Sequence, residues 1–341
     1  MARKTALVVA PGRGTYNKPE HGYLGRYHAD KTDMLEQFDA LRRELGQTPI
    51  MELDGAKQFS LSLFTRGDNA SPLIYSCAYA DYHAIDQEKF EIVAVTGNSM
   101  GWYIALACAG ALDAVNGFHV VNTMGTLMQE TLIGGQILYP FVDDNWVEIP
   151  GRKSELLALA DDIYDLHISI DLGGMIVFAG SEEALKTAER HLPPLDGRFP
   201  MHLGNHAGFH SPLQIPVALK GKNLLPPQLF ERPTVPLIDG RGHLWQPKAS
   251  KLQDLWNYTL GHQVIETYDF TAAIRNGLRT FAPDVVIILG PGTTLGGAVA
   301  QAAISTQWLG MTSKTDFKNI QDQSPFILSM GDLEQRALVT P

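Results

Sequence analysis

The chain has 341 residues, 45% hydrophobic and 19% charged, and carries a formal net charge of −10. That balance describes an ordinary globular protein, and an acidic chain with no long basic run is not built for non-specific nucleic-acid binding. Two cysteines, Cys77 and Cys108, exclude a disulfide framework or a cysteine-based zinc site, and no stretch approaches the roughly 18 apolar residues of a membrane span.

Residues 5–10 read as a buried strand ending at Pro11-Gly12-Arg13-Gly14, followed by a helix over 31–46 with Met34, Phe38, Leu41 and Leu45 at helical spacing. A second helix is predicted over 71–85, with Pro72 in its first turn. The two cysteines fall in apolar segments, as buried thiols of a cytoplasmic protein do. Residues 91–96 form the next strand, and a helix resumes at Trp102. Between them stands Gly97-Asn98-Ser99-Met100-Gly101. A strand that reverses so tightly into a helix brings backbones together where a Cβ would clash, and it exposes the serine at the apex. The first N–H groups of the new helix point at the same spot, where they suit a developing negative charge. Ser99 is therefore a nucleophile candidate, with the strand before and the helix after as the context the motif requires.

A further helix is predicted over 117–132. Residues 133–204 then change character: strand 136–142, helix 153–166, strands 167–170 and 176–178, helix 181–191 opening on a capping-box start at Ser181, and strand 198–203. The order βαββαβ is the ferredoxin-like pattern. The large α/β domain thus covers 1–132 and 205–312 and the inserted subdomain 133–204. The polar segment 313–341 is expected to be a peripheral C-terminal extension. After the insertion come a helix over 212–220 and an apolar strand, Val285-Val286-Ile287-Ile288-Leu289, which ends at Gly290-Pro291-Gly292 and leads into a helix over 294–304. Apolar strands each followed by a helix make a parallel sheet with covered faces, so the fold class is α/β, an α/β-hydrolase-like parallel sheet with an inserted ferredoxin-like subdomain.

A nucleophilic serine needs a base. Of the 11 histidines, His206 and His210 stand together just after the insertion, where the chain returns to the main sheet, and spacing alone does not separate them.

With this pair in view, the sequence resembles the malonyl-CoA:acyl-carrier-protein transacylase family, including the acyltransferase domains of polyketide synthases. Val9-Ala10-Pro11-Gly12-Arg13-Gly14 is similar to that family's N-terminal Phe-Pro-Gly-Gln-Gly loop. The Gly97–Gly101 elbow with the trailing Ala109-Gly110-Ala111-Leu112 resembles its Gly-His-Ser-x-Gly segment. Gly125-x-x-Met128-Gln129 matches the helix that carries its substrate arginine, and Leu289-Gly290-Pro291-Gly292 its Val-Gly-Pro-Gly turn. Phe209-His210-Ser211-Pro212 resembles its His-Ser-Pro motif and favours His210 over His206. The resemblance implies an acyl-Ser99 intermediate, with His210 as general base and the Met100 and Arg13 amides as oxyanion hole. It implies an acyl-CoA donor, an acyl carrier protein as acceptor, and no cofactor or metal. Gln263 resembles a pocket glutamine of the family.

Four positions depart from the pattern. The arginine that holds malonyl is Met124, the elbow histidine is Asn98, the glutamate after the elbow is Trp102, and the subdomain asparagine is Asp171. Without a paired cation the acyl group is expected to lack a second carboxylate, or else to be held by Arg13, which otherwise reads as a surface-loop residue. Asn98, Met124, Asp171 and Gln263 are the expected substrate-binding positions. An acyl hydrolase that frees carriers, or a non-catalytic carrier-docking protein, are the alternative functions.

Overall fold

The computed structural model describes residues 2–341. Its main sheet has the order β11-β10-β1-β2-β7-β8. These strands are Lys4–Ala10 (β1), Phe90–Gly97 (β2), Leu237–Ile238 (β7), Leu244–Trp245 (β8), Val285–Ile288 (β10) and Ile327–Ser329 (β11). All neighbours are parallel except the hairpin of β7 and β8. β1 and β10 are almost wholly apolar and buried, as central strands covered on both faces must be. The mixed α/β class is as the sequence predicts.

Gly135–Pro140 (β3), Leu166–Leu172 (β4), Met175–Gly180 (β5) and Met201–His202 (β6) form a separate antiparallel sheet in the order β6-β3-β5-β4. Helices Arg152–Asp162 and Glu182–His191 cover it around a second apolar core that includes Ile137, Phe178 and Leu185. This sheet takes a fifth strand from outside the insertion: Tyr268–Asp269 (β9) pairs in parallel with β4. The predicted strand 198–203 shrinks to two residues. Ser181 does cap its helix, accepting from the Ala184 amide, but alanine at that third position cannot return a bond, so no reciprocal box forms.

Two further expectations are corrected. The second helix spans Gly67–Tyr82, so Pro72 lies inside it rather than in its first turn. A proline there leaves the carbonyl four residues back without its amide. The Arg42 guanidinium donates to that carbonyl, Asp68 O, at 2.7 Å. The segment 313–341 is not peripheral: it supplies edge strand β11, and its last helix, Leu333–Val339, sends Arg336 into the interior. There Arg336 Nη1 and His28 Nε2 meet Asp81 Oδ1 at 2.6 and 2.7 Å, while Tyr23 and the Gly290 amide donate to Oδ2. Asp81 is fully buried and this network supplies its partners. Arg336→Met, leaving that carboxylate without its guanidinium, is expected to cost about 3–5 kcal/mol in urea unfolding, with part recovered by adding Asp81→Asn. Equal stability of the single variant and the parent would refute the assignment.

Candidate functional site

β1 and β2 are adjacent and parallel, and the loops leaving their carboxyl ends, 11–14 and 98–100, meet. Ligands in open α/β sheets bind at such ends. Gly101 lies against the Ala10 and Pro11 carbonyls and Gly97 against Gly101, with no room for a Cβ at either glycine. Ser99 is held at φ +55°, a left-handed conformation that non-glycine residues avoid. The structure puts Ser99 Oγ 2.7 Å from His210 Nε2. His210 is itself at φ +54° and is buried.

The other imidazole nitrogen settles which way the proton lies. His210 Nδ1 is 2.6 Å from the Gln263 carbonyl, which can only accept, so Nδ1 carries the hydrogen and Nε2 is free to accept from Ser99. That carbonyl is available because helix Gln263–Ile265 stops within three residues, and the last carbonyls of a helix have no internal partner. A run of helical turns from Leu252, with a π-turn over Tyr258–His262, leads to this end. A helix C-terminus also favours an imidazolium. The Gln263 side chain acts on the opposite partner: Nε2 donates to the Ser99 carbonyl at 3.0 Å, and Oε1 accepts from Tyr103. One residue thus fixes both the strained serine and the histidine. From sequence Gln263 is only a pocket glutamine; a backbone carbonyl leaves no mark on residue type.

Burial pushes the His210 imidazole down to about 4, against a smaller upward pull from the Gln263 carbonyl. The sign follows directly. The unfolded chain protonates this histidine near 6.5 and the folded chain only near 4, so its contribution to stability is complete above 6.5 and lost as pH falls between the two. The base form persists over the same window. Labelling of Ser99 by a fluorophosphonate should stay level from about pH 8 to about pH 5 and decline only below. An acid limb centred near 6.5 would show that the imidazole is not desolvated.

His206 does not reach Ser99. Its Nδ1 meets Gln136 Oε1 at 2.8 Å, Gln136 donates to Ser169, and Ser169 donates to the Phe209 carbonyl. Burial, with Arg13 adding to it, pushes His206 down to about 3. The backbone amides of Arg13 and Met100 donate to no group among the described residues, and both residues border the pocket beside Ser99. Met124 and Gln263 also line it, with Ser71, Tyr103, Met128 and Phe209. Met124 is buried, its sulfur against Gly221.

Two expected pocket residues lie elsewhere. Asn98 packs against Gly12, behind the elbow. Asp171 faces Lys153 at 2.6 Å and accepts from Thr271, so it presents no acid to the pocket. Trp102, fully buried, donates to Thr259. Arg13 is not a surface-loop residue: its Nη2 donates to the Thr65 and Asn205 carbonyls at 2.9 and 3.0 Å, and the guanidinium lies over Phe209.

No protein-family model matches the chain. The chain is 23% identical over 301 residues to the malonyl CoA-acyl carrier protein transacylase of Salmonella typhimurium, covering 85% of this chain and 90% of that protein. It is 24% identical over 332 residues to the Haemophilus influenzae protein of the same name, covering 94% and 99%. Among solved structures, malonyl-CoA:acyl carrier protein transacylase from Helicobacter pylori superposes with a TM-score of 0.74 at 17% identity, covering 98% of this chain and 97% of that one. Acyl-carrier-protein-S-malonyltransferase from Bartonella henselae gives 0.73 at 18% identity, covering 98% of both chains. At these identities the structural likeness establishes the fold.

Proposed function

We propose that this chain, which belongs to the malonyl-CoA:acyl-carrier-protein transacylase family, moves an acyl group from coenzyme A to the phosphopantetheine thiol of an acyl carrier protein through an ester on Ser99. Ser99 Oγ attacks the thioester carbonyl as His210 Nε2 takes its proton. The oxyanion is received by the Met100 and Arg13 amides. The C–S bond breaks, His210 returns the proton to the departing sulfur, and acyl-serine remains. The carrier thiol then gives its proton to His210 and attacks the ester carbonyl. Ser99 Oγ leaves and recovers the proton. What supports the reading is the 2.7 Å Ser99–His210 contact at the elbow, with the imidazole oriented by the Gln263 carbonyl. An acidic third residue is not needed where a carbonyl orients the ring.

The test is intact-mass spectrometry after incubation with a panel of acyl-CoAs. An adduct that is stable in buffer and discharged by a carrier thiol supports transfer. An adduct discharged at the same rate in buffer alone indicates an acyl hydrolase, and no adduct with any acyl-CoA leaves only carrier docking.

Docking narrows to fewer cations than the sequence offers. Lys222 is folded over Trp256, and Arg241 is paired with Asp239 and laid over Tyr258. Lys220 is exposed and bonds to nothing among the described residues, on the same helix face as exposed Leu224. Carriers are usually acidic, so Lys220→Glu should raise the carrier KM several-fold at low salt and less at high salt. An unchanged KM at low salt would remove Lys220 from docking.

A further inference from the structure

We propose that Arg13 is the residue that selects the acyl group, its free Nη1 and the Ser71 hydroxyl forming a seat for a carboxylate at the far end of the pocket. The inference rests on the acyl-serine reading above. Its ground is a pair of donors without partners. Arg13 Nη1 is sealed from solvent and bonds to nothing among the described residues, although Nη2 of the same group is anchored twice. Ser71 Oγ, on a residue itself buried, also bonds to nothing among the described residues, and Ser71 lines the pocket that holds Ser99 and His210. A buried, unpaired guanidinium nitrogen is costly unless something visits it.

The backbone brings the two donors to one place. Helix Gly67–Tyr82 crosses helix Ala114–Thr131 so closely that a Cβ on Gly67 would meet the Gly125 carbonyl and one on Gly125 would meet Ser71. The same Cβ on Gly67 would lie 3.5 Å from Arg13 Nη1. Arg13 is the one permanent charge among the pocket's lining residues. Asp68, the nearest acid to act on it, is itself paired with Arg66. Burial lowers the guanidinium only to about 10, so it stays a cation at neutral pH. A planar fork with one nitrogen fixed and the other free suits a carboxylate oxygen better than an ammonium would.

Arg13 also closes the pocket. On its far side Arg13 borders a second cavity with Tyr16, Phe64 and His206. The guanidinium is thus a partition, and a short acyl chain ending in a carboxylate meets it where a longer neutral chain would be stopped.

The experiment sets malonyl-CoA against acetyl-CoA at equal concentration and reads the ratio of the two Ser99 adducts by intact mass. The parent chain is expected to favour malonyl by at least tenfold. Truncating one partner of a buried charge pair costs enough that Arg13→Gln should lower the ratio by about 30-fold or more. Ser71→Ala should lower it less, and adding Met124→Arg to Arg13→Gln should restore part of it. Should Arg13→Gln not fold, the parent chain carries the test: malonamate, but not neutral malonamide, should slow fluorophosphonate labelling of Ser99. A parent that prefers acetyl-CoA, a ratio unmoved by Arg13→Gln, or equal protection by the two amides overturns the assignment while leaving acyl transfer standing. No adduct with either donor, or one that persists in Ser99→Ala, brings down the acyl-serine reading and the seat with it.

Discussion

Ser99→Ala should show no mass increment with any acyl-CoA and no reaction with a fluorophosphonate. The expectation is complete loss rather than attenuation, because among the described residues no other hydroxyl reaches His210 Nε2. Ser71 shares the pocket, but no hydrogen bond links it to the imidazole. Removing one oxygen creates little void and breaks no fold contact beyond the bond to His210, so the variant should keep its circular dichroism and melt as one transition. Labelling at the parent rate in a folded Ser99→Ala protein would take Ser99 out of the reaction.

His210→Ala should slow formation of the acyl-enzyme by about 10²- to 10⁴-fold, the usual range for a positioned general base. His206→Ala should have a much smaller effect, carried through the chain of Gln136 and Ser169 to the Phe209 carbonyl. Single-turnover acylation at saturating acyl-CoA separates this from binding. If the larger loss belongs to His206, the roles are reversed.

The parts of the molecule legible in the sequence are those where residue type is forced by local geometry. The elbow is one. Two glycines are compelled by touching backbones, the strand before is apolar and the helix after is Ala-rich, so strand, turn and helix are written in consecutive residues. β10 is another, a run of four β-branched residues between breakers. What escaped reading depends on distant partners. β11 is three residues in a polar stretch, and Arg336 looks like any surface arginine until Asp81, 255 residues away, is placed beside it. Pro72 reads as a helix start because nothing nearby says that Arg42 will take the orphaned carbonyl. Asp171 and Asn98 stand at pocket positions by motif, but Asp171 lies where β4 pairs with β9 and accepts from Thr271 on the helix that follows, and Asn98 packs against Gly12. Arg13 reads as a surface-loop residue for the same reason: a loop residue's burial depends on what folds over it, here the carbonyls of Thr65 and Asn205.

Both members of the Ser99–His210 pair sit in left-handed backbone, at φ +55° and +54°. For residues with a side chain, that conformation costs about 1–2 kcal/mol each. Glycine would relax either position, and with it the chemistry would vanish. Durability and activity are therefore opposed at this turn: among random variants, some of those that last longest in a heated extract would be inert. A lineage released from acyl transfer would have in Ser99 a site at which drift alone is rewarded with a tougher protein. That this chain carries serine and histidine there, rather than glycine, is what a working turn looks like, and it weighs against a role in which the fold serves only as a docking platform.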